Sequence, residues 1–147
     1  MEDTTRLRRN AKEMKRTETL FLCGMKLEEL DDLEAFENLK WLWIARNALT
    51  SLQGLQANAR LHGLFASHNE IRTLAGIEWL TQLEELVLAG NKLQGLQCQL
   101  GVLRRLRRLR RLDLANNPLA EETRYRQHVI RALPWLRILD GLRVTDN

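Results

Sequence analysis

Reactive side chains are sparse in this 147-residue chain. The histidines are His62, His68 and His128, and the two cysteines, Cys23 and Cys98, lie 75 residues apart. That separation fits no zinc or dithiol motif. An imidazole acts as base or ligand when a carboxylate or thiol stands beside it. No such grouping accompanies these three, so they read as surface polar groups. Neither a phosphate-cradling G-x-x-x-x-G-K-[ST] nor a nucleophile-elbow G-x-S-x-G occurs. The expectation is no catalytic residue, no metal ligand and no cofactor.

Recognition chemistry is better represented. Arg104, Arg105, Arg107, Arg108, Arg110 and Arg111 form the densest charge run in the chain. Guanidinium groups on one face can dock on an acidic protein or on phosphate. The competing reading is a solvated edge whose arginine stems lie over leucines. Residues 101–147 hold eleven basic side chains, all arginine, against five acids, whereas residues 17–100 hold six basic against eleven acidic. Residues 1–16 add six basic and three acidic groups, for an overall net charge of +4. The bias toward arginine favours shaped, bidentate contacts.

The elements that position these groups follow from a repeat. LKWLWIARN (39–47), LHGLFASHN (61–69), LEELVLAGN (83–91) and LRRLDLANN (109–117) share L-x-x-L-x-L-x-x-N, with Ala66 in place of one leucine. The asparagines Asn47, Asn69, Asn91 and Asn117 are spaced 22, 22 and 26 residues apart. A near-constant period of this length, with this signature, is that of leucine-rich repeats. TETLFLCGM (17–25) is a weaker first copy that ends in Met25 rather than asparagine. The inner L-x-L has a period of two, which belongs to a strand.

The architecture expected is an α/β solenoid: a short right-handed array with a parallel concave sheet. Short 3₁₀ or α turns line its convex side, and both ends are capped. The leucines of each strand turn inward and the intervening side chains face out. Each asparagine amide both donates and accepts, so a ladder of them can satisfy turn backbone groups of the neighbouring coil. The return segments, with Leu49, Leu52 and Leu55, then Ile71, Leu74 and Ile77, have the spacing of three that suits 3₁₀ turns. Asn58 and Ala59 fall where other coils carry Phe36 and Leu80, which predicts a thinner, more polar turn. The longer last spacing, with Leu100, Leu103 and Leu106, predicts one or two true α-helical turns.

Three regions follow. Residues 1–16 form a charged helix or extension, with Leu7 and Met14 on one face; residues 17–117 are the repeats; residues 118–147 are the C-terminal cap. In the cap, Glu121 and Glu122 are expected to open a helix. Tyr125, Val129 and Ile130 supply its apolar face, and Leu133 with Pro134 ends it. Trp135, Leu136, Ile138 and Leu139 offer a final strand. Hydrophobic residues make up 44% of the chain and charged residues 29%, which excludes both disorder and a membrane-embedded class. No apolar run approaches the roughly 18 residues of a membrane span. The first sixteen residues also lack the apolar stretch of a secretory signal, so a soluble intracellular domain is expected.

With that register, Phe21, Trp43, Phe65, Val87 and Asp113 occupy one outward strand position in successive coils. Trp41 lies one pleat away, with Glu85 and Arg111 as polar rims. A solvated sheet face is ordinarily polar, so an aromatic stripe there predicts a partner-binding surface. The alternative is that these rings cover the sheet and pack on one another. Trp79 and Trp135 read as core or rim.

The segment Asn117, Pro118, Leu119, Tyr125, Arg126, Val129, Ile130, Leu133, Pro134, Leu136, Leu139 and Asp140 resembles the cap of a subset of 22-residue leucine-rich proteins. That subset includes axonemal dynein light chain 1, dynein assembly factors, the spliceosomal A-prime protein and a leucine-rich phosphatase regulator. LKWLWIARNALTSL, the polar QANARL and the longer last spacing look most like the family of leucine-rich repeat-containing protein 72, which is associated with ciliated cells. The resemblance implies a non-enzymatic interaction module in a cytoskeletal assembly of the ciliary or flagellar axoneme. Tubulin, dynein or helical coiled-coil proteins are the partners it implies, within a large complex in the cytoplasm. A ribonucleoprotein scaffold of the A-prime type, in the nucleus, is the alternative, with a phosphatase subunit third. Direct contact with nucleic acid is not expected, because the aromatic stripe and the arginines lie at opposite ends of the array.

Overall fold

A computed structural model describes residues 11–145 as a parallel-sheet solenoid. The element order is α1 (Ala11–Arg16), β1 (Thr19–Phe21), β2 (Trp41–Trp43), β3 (Gly63–Phe65) and β4 (Glu85–Val87). After these come α2 (Leu96–Leu103), β5 (Arg111–Asp113), a 3₁₀ turn (Pro118–Glu121), α3 (Tyr125–Ala132), β6 (Ile138–Leu139) and β7 (Leu142–Arg143). The seven strands form one sheet in sequence order, parallel from β1 to β6, with β7 antiparallel at the edge.

Each strand is three residues long in β1 to β5, and its central residue is a leucine: Leu20, Leu42, Leu64, Leu86 and Leu112. Leu42, Leu64, Leu86 and Leu112 are fully buried, because the pleat sends alternate side chains to opposite faces. The core runs the length of the solenoid as stacked rows of leucine and isoleucine. On the convex side the chain turns through i→i+3 backbone bonds at the predicted spacing, among them Asn58 N to Leu55 O and Ile77 N to Leu74 O.

The asparagines form the expected ladder. Asn69 Oδ1 accepts from Leu49 N (3.1 Å), while its Nδ2 donates to Ile44 O and Ala66 O. Asn91 repeats this with Ile71 N, Ala66 O and Leu88 O, and Asn117 with Leu93 N, Leu88 O and Leu114 O. Asn47 Oδ1 takes both Met25 N and Leu27 N, which compensates for the asparagine missing from the first coil. At the other end a carboxylate replaces the amide. Asp140 Oδ1 accepts from Leu114 N (2.7 Å) and its Oδ2 from the Tyr125 hydroxyl (2.9 Å). Burial, then the Asp140 charge, pushes the Tyr125 phenol well above its ordinary range, so it stays protonated as the donor.

Several expectations change. Asn58 does make its turn polar in composition, but the amide points inward and is buried, donating to Leu33 O and Phe36 O. Glu121 and Glu122 do not open the cap helix. Arg124 adopts a left-handed φ of 58°, which breaks the chain there, and α3 begins at Tyr125. Glu122 instead reaches across one coil, and its Oε2 accepts from Leu96 N at the start of α2. The inserted residues do form the expected helix, α2, whose Gln99 bridges Leu74 N and Gln94 O. One glycine is structurally required: Gly54 has φ +106°, and a Cβ on it would stand 2.2 Å from Leu30 O.

The ends close differently. Met14 of α1 is buried against the first coil, and Asn38 Nδ2 donates to Lys15 O. Leu7 lies outside the described residues. At the C-terminus Arg126 holds the β6–β7 hairpin through Leu139 O, Leu142 O and Arg143 O.

Candidate interaction surface

Because the central leucines face in, both flanking residues of every strand face the concave side. The register aligns two outward rows. One contains Phe21, Trp43, Phe65, Val87 and Asp113; the other contains Thr19, Trp41, Gly63, Glu85, Arg111 and Ile138. The first row grades from aromatic to charged toward the C-terminal end; the second has one aromatic residue, Trp41, between Thr19 and Gly63, then the charged Glu85 and Arg111 before Ile138.

The aromatic end is a built stack. The Trp43 and Phe65 rings lie 3.8 Å apart at 10°, and Phe21 stacks on Trp43 at 5.9 Å and 21°. The Trp41 ring occupies the space over Gly63: a Cβ there would sit 2.4 Å from Trp41 Cε3 and 2.9 Å from Phe65 Cε2. Trp41 also tilts against His62 at 6.0 Å. Phe65 was expected as an open contact residue, but only 9% of it is exposed. Its ring is covered by Trp43 and crowded by Trp41 above the bare backbone of Gly63. The two readings of the stripe are therefore both visible in one place. Phe65 covers the sheet, whereas Phe21 is 68% exposed and Trp41 and Trp43 are half-buried. Gly63 is the residue that composition overlooked; its coincidence in register with Trp41 is the signal that points to it.

Val87 is half-buried, and beyond it the face is polar. Glu85 and Arg111 approach to 3.9 Å with their side chains 36% and 46% exposed, and Lys40 meets Glu18 at 3.5 Å. Pairs this exposed contribute little to stability.

The six arginines do not share one face. Arg111 belongs to the concave sheet, and half-buried Arg110 donates from Nη1 to Arg107 O and Leu109 O. Arg104, Arg105, Arg107 and Arg108 are exposed on the turn between α2 and β5. Two tryptophans meet them there. Arg105 lies over the Trp79 ring at 5.4 Å, and Arg107 over Trp135 at 5.5 Å. Trp79 is on the rim and 63% exposed, not in the core. Cys23 and Cys98 are both exposed and unpaired. Among the described residues no three of His, Cys, Asp and Glu converge, and no helix is long and apolar enough to cross a membrane.

Comparison with known proteins agrees with this geometry. A chain of the Drosophila melanogaster SNF/U2A' complex superposes with a TM-score of 0.80 at 27% identity, covering 87% of this chain and 75% of that one. An internalin (InlF) from Listeria monocytogenes gives 0.65 at 16%, covering 88% of this chain and 49% of the internalin. The Chaetomium Mex67:Mtr2 subunits give 0.61 at 22%, with 99% and 92% covered. The last two show the fold alone. The family model described as "Leucine-rich repeat" matches residues 8–147, and the chain belongs to the leucine-rich repeat family.

Proposed function

We propose that this protein is a non-catalytic adaptor that holds a helical or extended segment of a protein partner across its concave aromatic end. As a leucine-rich repeat fold it is a protein–protein interaction module. The observation that carries the finer reading is the Phe21–Trp43 stack, raised from a short-stranded sheet and left open to solvent. Large rings aligned on a rigid support lose little conformational entropy on binding, and such rings dominate interface energetics. Phe21, Trp41 and Trp43 would anchor the segment, with Val87, Glu85 and Arg111 at its charged end.

We place this adaptor in a cytoskeletal assembly of the ciliary axoneme, with dynein, tubulin or coiled-coil proteins as partner classes. The support is the resemblance carried by 39–52 and by the cap residues Asn117 to Asp140. A second reading has one specific observation in its favour: the 27% identity with a chain of the SNF/U2A' complex over most of both chains. On that reading the same concave face grips an RNA-binding protein in a nuclear ribonucleoprotein. Localising a tagged full-length copy in ciliated cells separates them. Axonemal signal that Trp43→Ala abolishes supports the first reading. Nuclear signal with the cilium dark contradicts it and favours the second.

A further inference from the structure

We propose a second docking surface, distinct from the concave stack: an arginine–tryptophan edge that binds a short aspartate- or glutamate-rich segment of a protein. It does not rest on the axonemal reading or on the aromatic stripe. Trp79 lies in the coil leading to β4, Arg105 and Arg107 in the coil leading to β5, and Trp135 in the coil leading to β6. The two guanidiniums therefore splay in opposite directions, one onto each neighbouring coil. With strands spaced ~4.8 Å apart, the edge spans about 10 Å.

Three observations make this more than a solvated turn. First, no carboxylate among the described residues stands within ion-pair distance of Arg104, Arg105, Arg107 or Arg108. Second, like charges are stacked in register. Arg137 N donates to Arg110 O, so these two arginines sit side by side on adjacent coils. Like charges directly opposite each other are destabilising; the one acid in this register is Glu84, whose O accepts from Arg110 N on the side away from Arg137. Third, two of the guanidiniums stand over indole rings, Arg105 at 5.4 Å from Trp79 and Arg107 at 5.5 Å from Trp135. A guanidinium lying on an aromatic face keeps its N–H edge free for a carboxylate, which it can take bidentately.

The size and borders of the edge favour an acidic peptide over a nucleic acid. A phosphodiester strand is tracked by many successive cationic contacts. This patch is bounded toward the N-terminus by Glu78 and Glu84, on the coil that carries Trp79. A guanidinium also already lies over each indole ring on which a base would stack. A segment of a few acidic residues matches the span and the charge of the edge.

The test is fluorescence anisotropy on the full chain with a short labelled glutamate-rich peptide, beside an oligouridine of matched charge, at low and at physiological salt. Wild type should bind the peptide more tightly than the oligouridine, and more weakly as salt rises. Arg105→Gln with Arg107→Gln should lose at least about tenfold in peptide affinity. Arg105→Lys with Arg107→Lys keeps both charges but not the planar fork, and should still lose about threefold or more. Trp79→Leu should weaken the peptide about threefold at an unchanged urea midpoint, and Trp43→Ala should leave it unaffected. No peptide binding, full affinity in the lysine variant, tighter binding of oligouridine, or a loss in Trp43→Ala equal to that of the glutamine variant would overturn the proposal.

Discussion

The two sides of one short strand behave as different materials. Facing in, Leu42, Leu64, Leu86 and Leu112 are the same residue at the same depth in four coils. Facing out, the row one position later reads Phe21, Trp43, Phe65, Val87 and Asp113. The inward row must stack on itself, so one shape repeated is the stable solution. The outward row is free to vary, and it grades from aromatic to charged along the solenoid. Stability is thus concentrated in the repeated side, and partner chemistry is available on the varied one.

The sharpest way to break the comparison is to truncate the inward row. Leu42→Ala should cost about 2–5 kcal/mol of unfolding free energy, read from urea denaturation, because neighbouring coils hold the cavity open. Next is the ladder that seals the coil edges. Asn69→Leu removes the acceptor for Leu49 N and the donor to Ile44 O and Ala66 O. Ile44 O keeps the Asn47 amide and Ala66 O keeps the Asn91 amide as donors, so the group left unpaired is Leu49 N, at a cost of about 1–3 kcal/mol. The midpoint should fall, with hydrogen exchange rising first at Leu49.

Outward changes should act more weakly on stability. Gly63→Ala forces the Trp41 ring off the sheet, since its Cε3 and Cζ3 would stand 2.4 and 2.7 Å from the new methyl. The ring is half-buried and can swing outward, so the expected cost is about 1 kcal/mol. Tryptophan emission should shift to the red as that ring becomes wet. Smallest of all is Glu85→Gln, which removes a partly exposed partner of Arg111 and should move stability by less than about 1 kcal/mol.

Much of the inward side was legible beforehand. Period-two leucines and a recurring asparagine predict both the strands and the ladder, because a backbone pattern repeated every 22 residues leaves few alternatives. The four extra residues before Asn117 likewise announced α2. What alternation cannot encode is how outward side chains treat each other. Whether Phe65 is open depends on Trp43 stacking and on the missing side chain of Gly63, neither of which belongs to its own alternation. The pairing of Trp79 with Arg105, and of Trp135 with Arg107, crosses coils of unequal length, so a fixed period misaligns it. Its place in the sequence makes Glu122 a local helix opener, yet it serves the helix one coil away. Arg124, in the left-handed region, had no sequence signature that set it apart from its neighbours.

The central claim is that the outward aromatic row recognises a partner and the inward row holds the fold. A paired measurement on Trp43→Ala and Leu42→Ala tests it most directly: urea unfolding of each full-length variant, and its retention on detergent-extracted axonemes. Trp43→Ala should lose about 1 kcal/mol of stability from its two ring contacts, and its retention should fall more than tenfold, since buried aromatic anchors contribute about 2 kcal/mol or more. Leu42→Ala should reverse the order, with stability falling first. If Trp43→Ala unfolds as readily as Leu42→Ala, or unfolds like wild type while its retention is unchanged, the division between the two faces is contradicted.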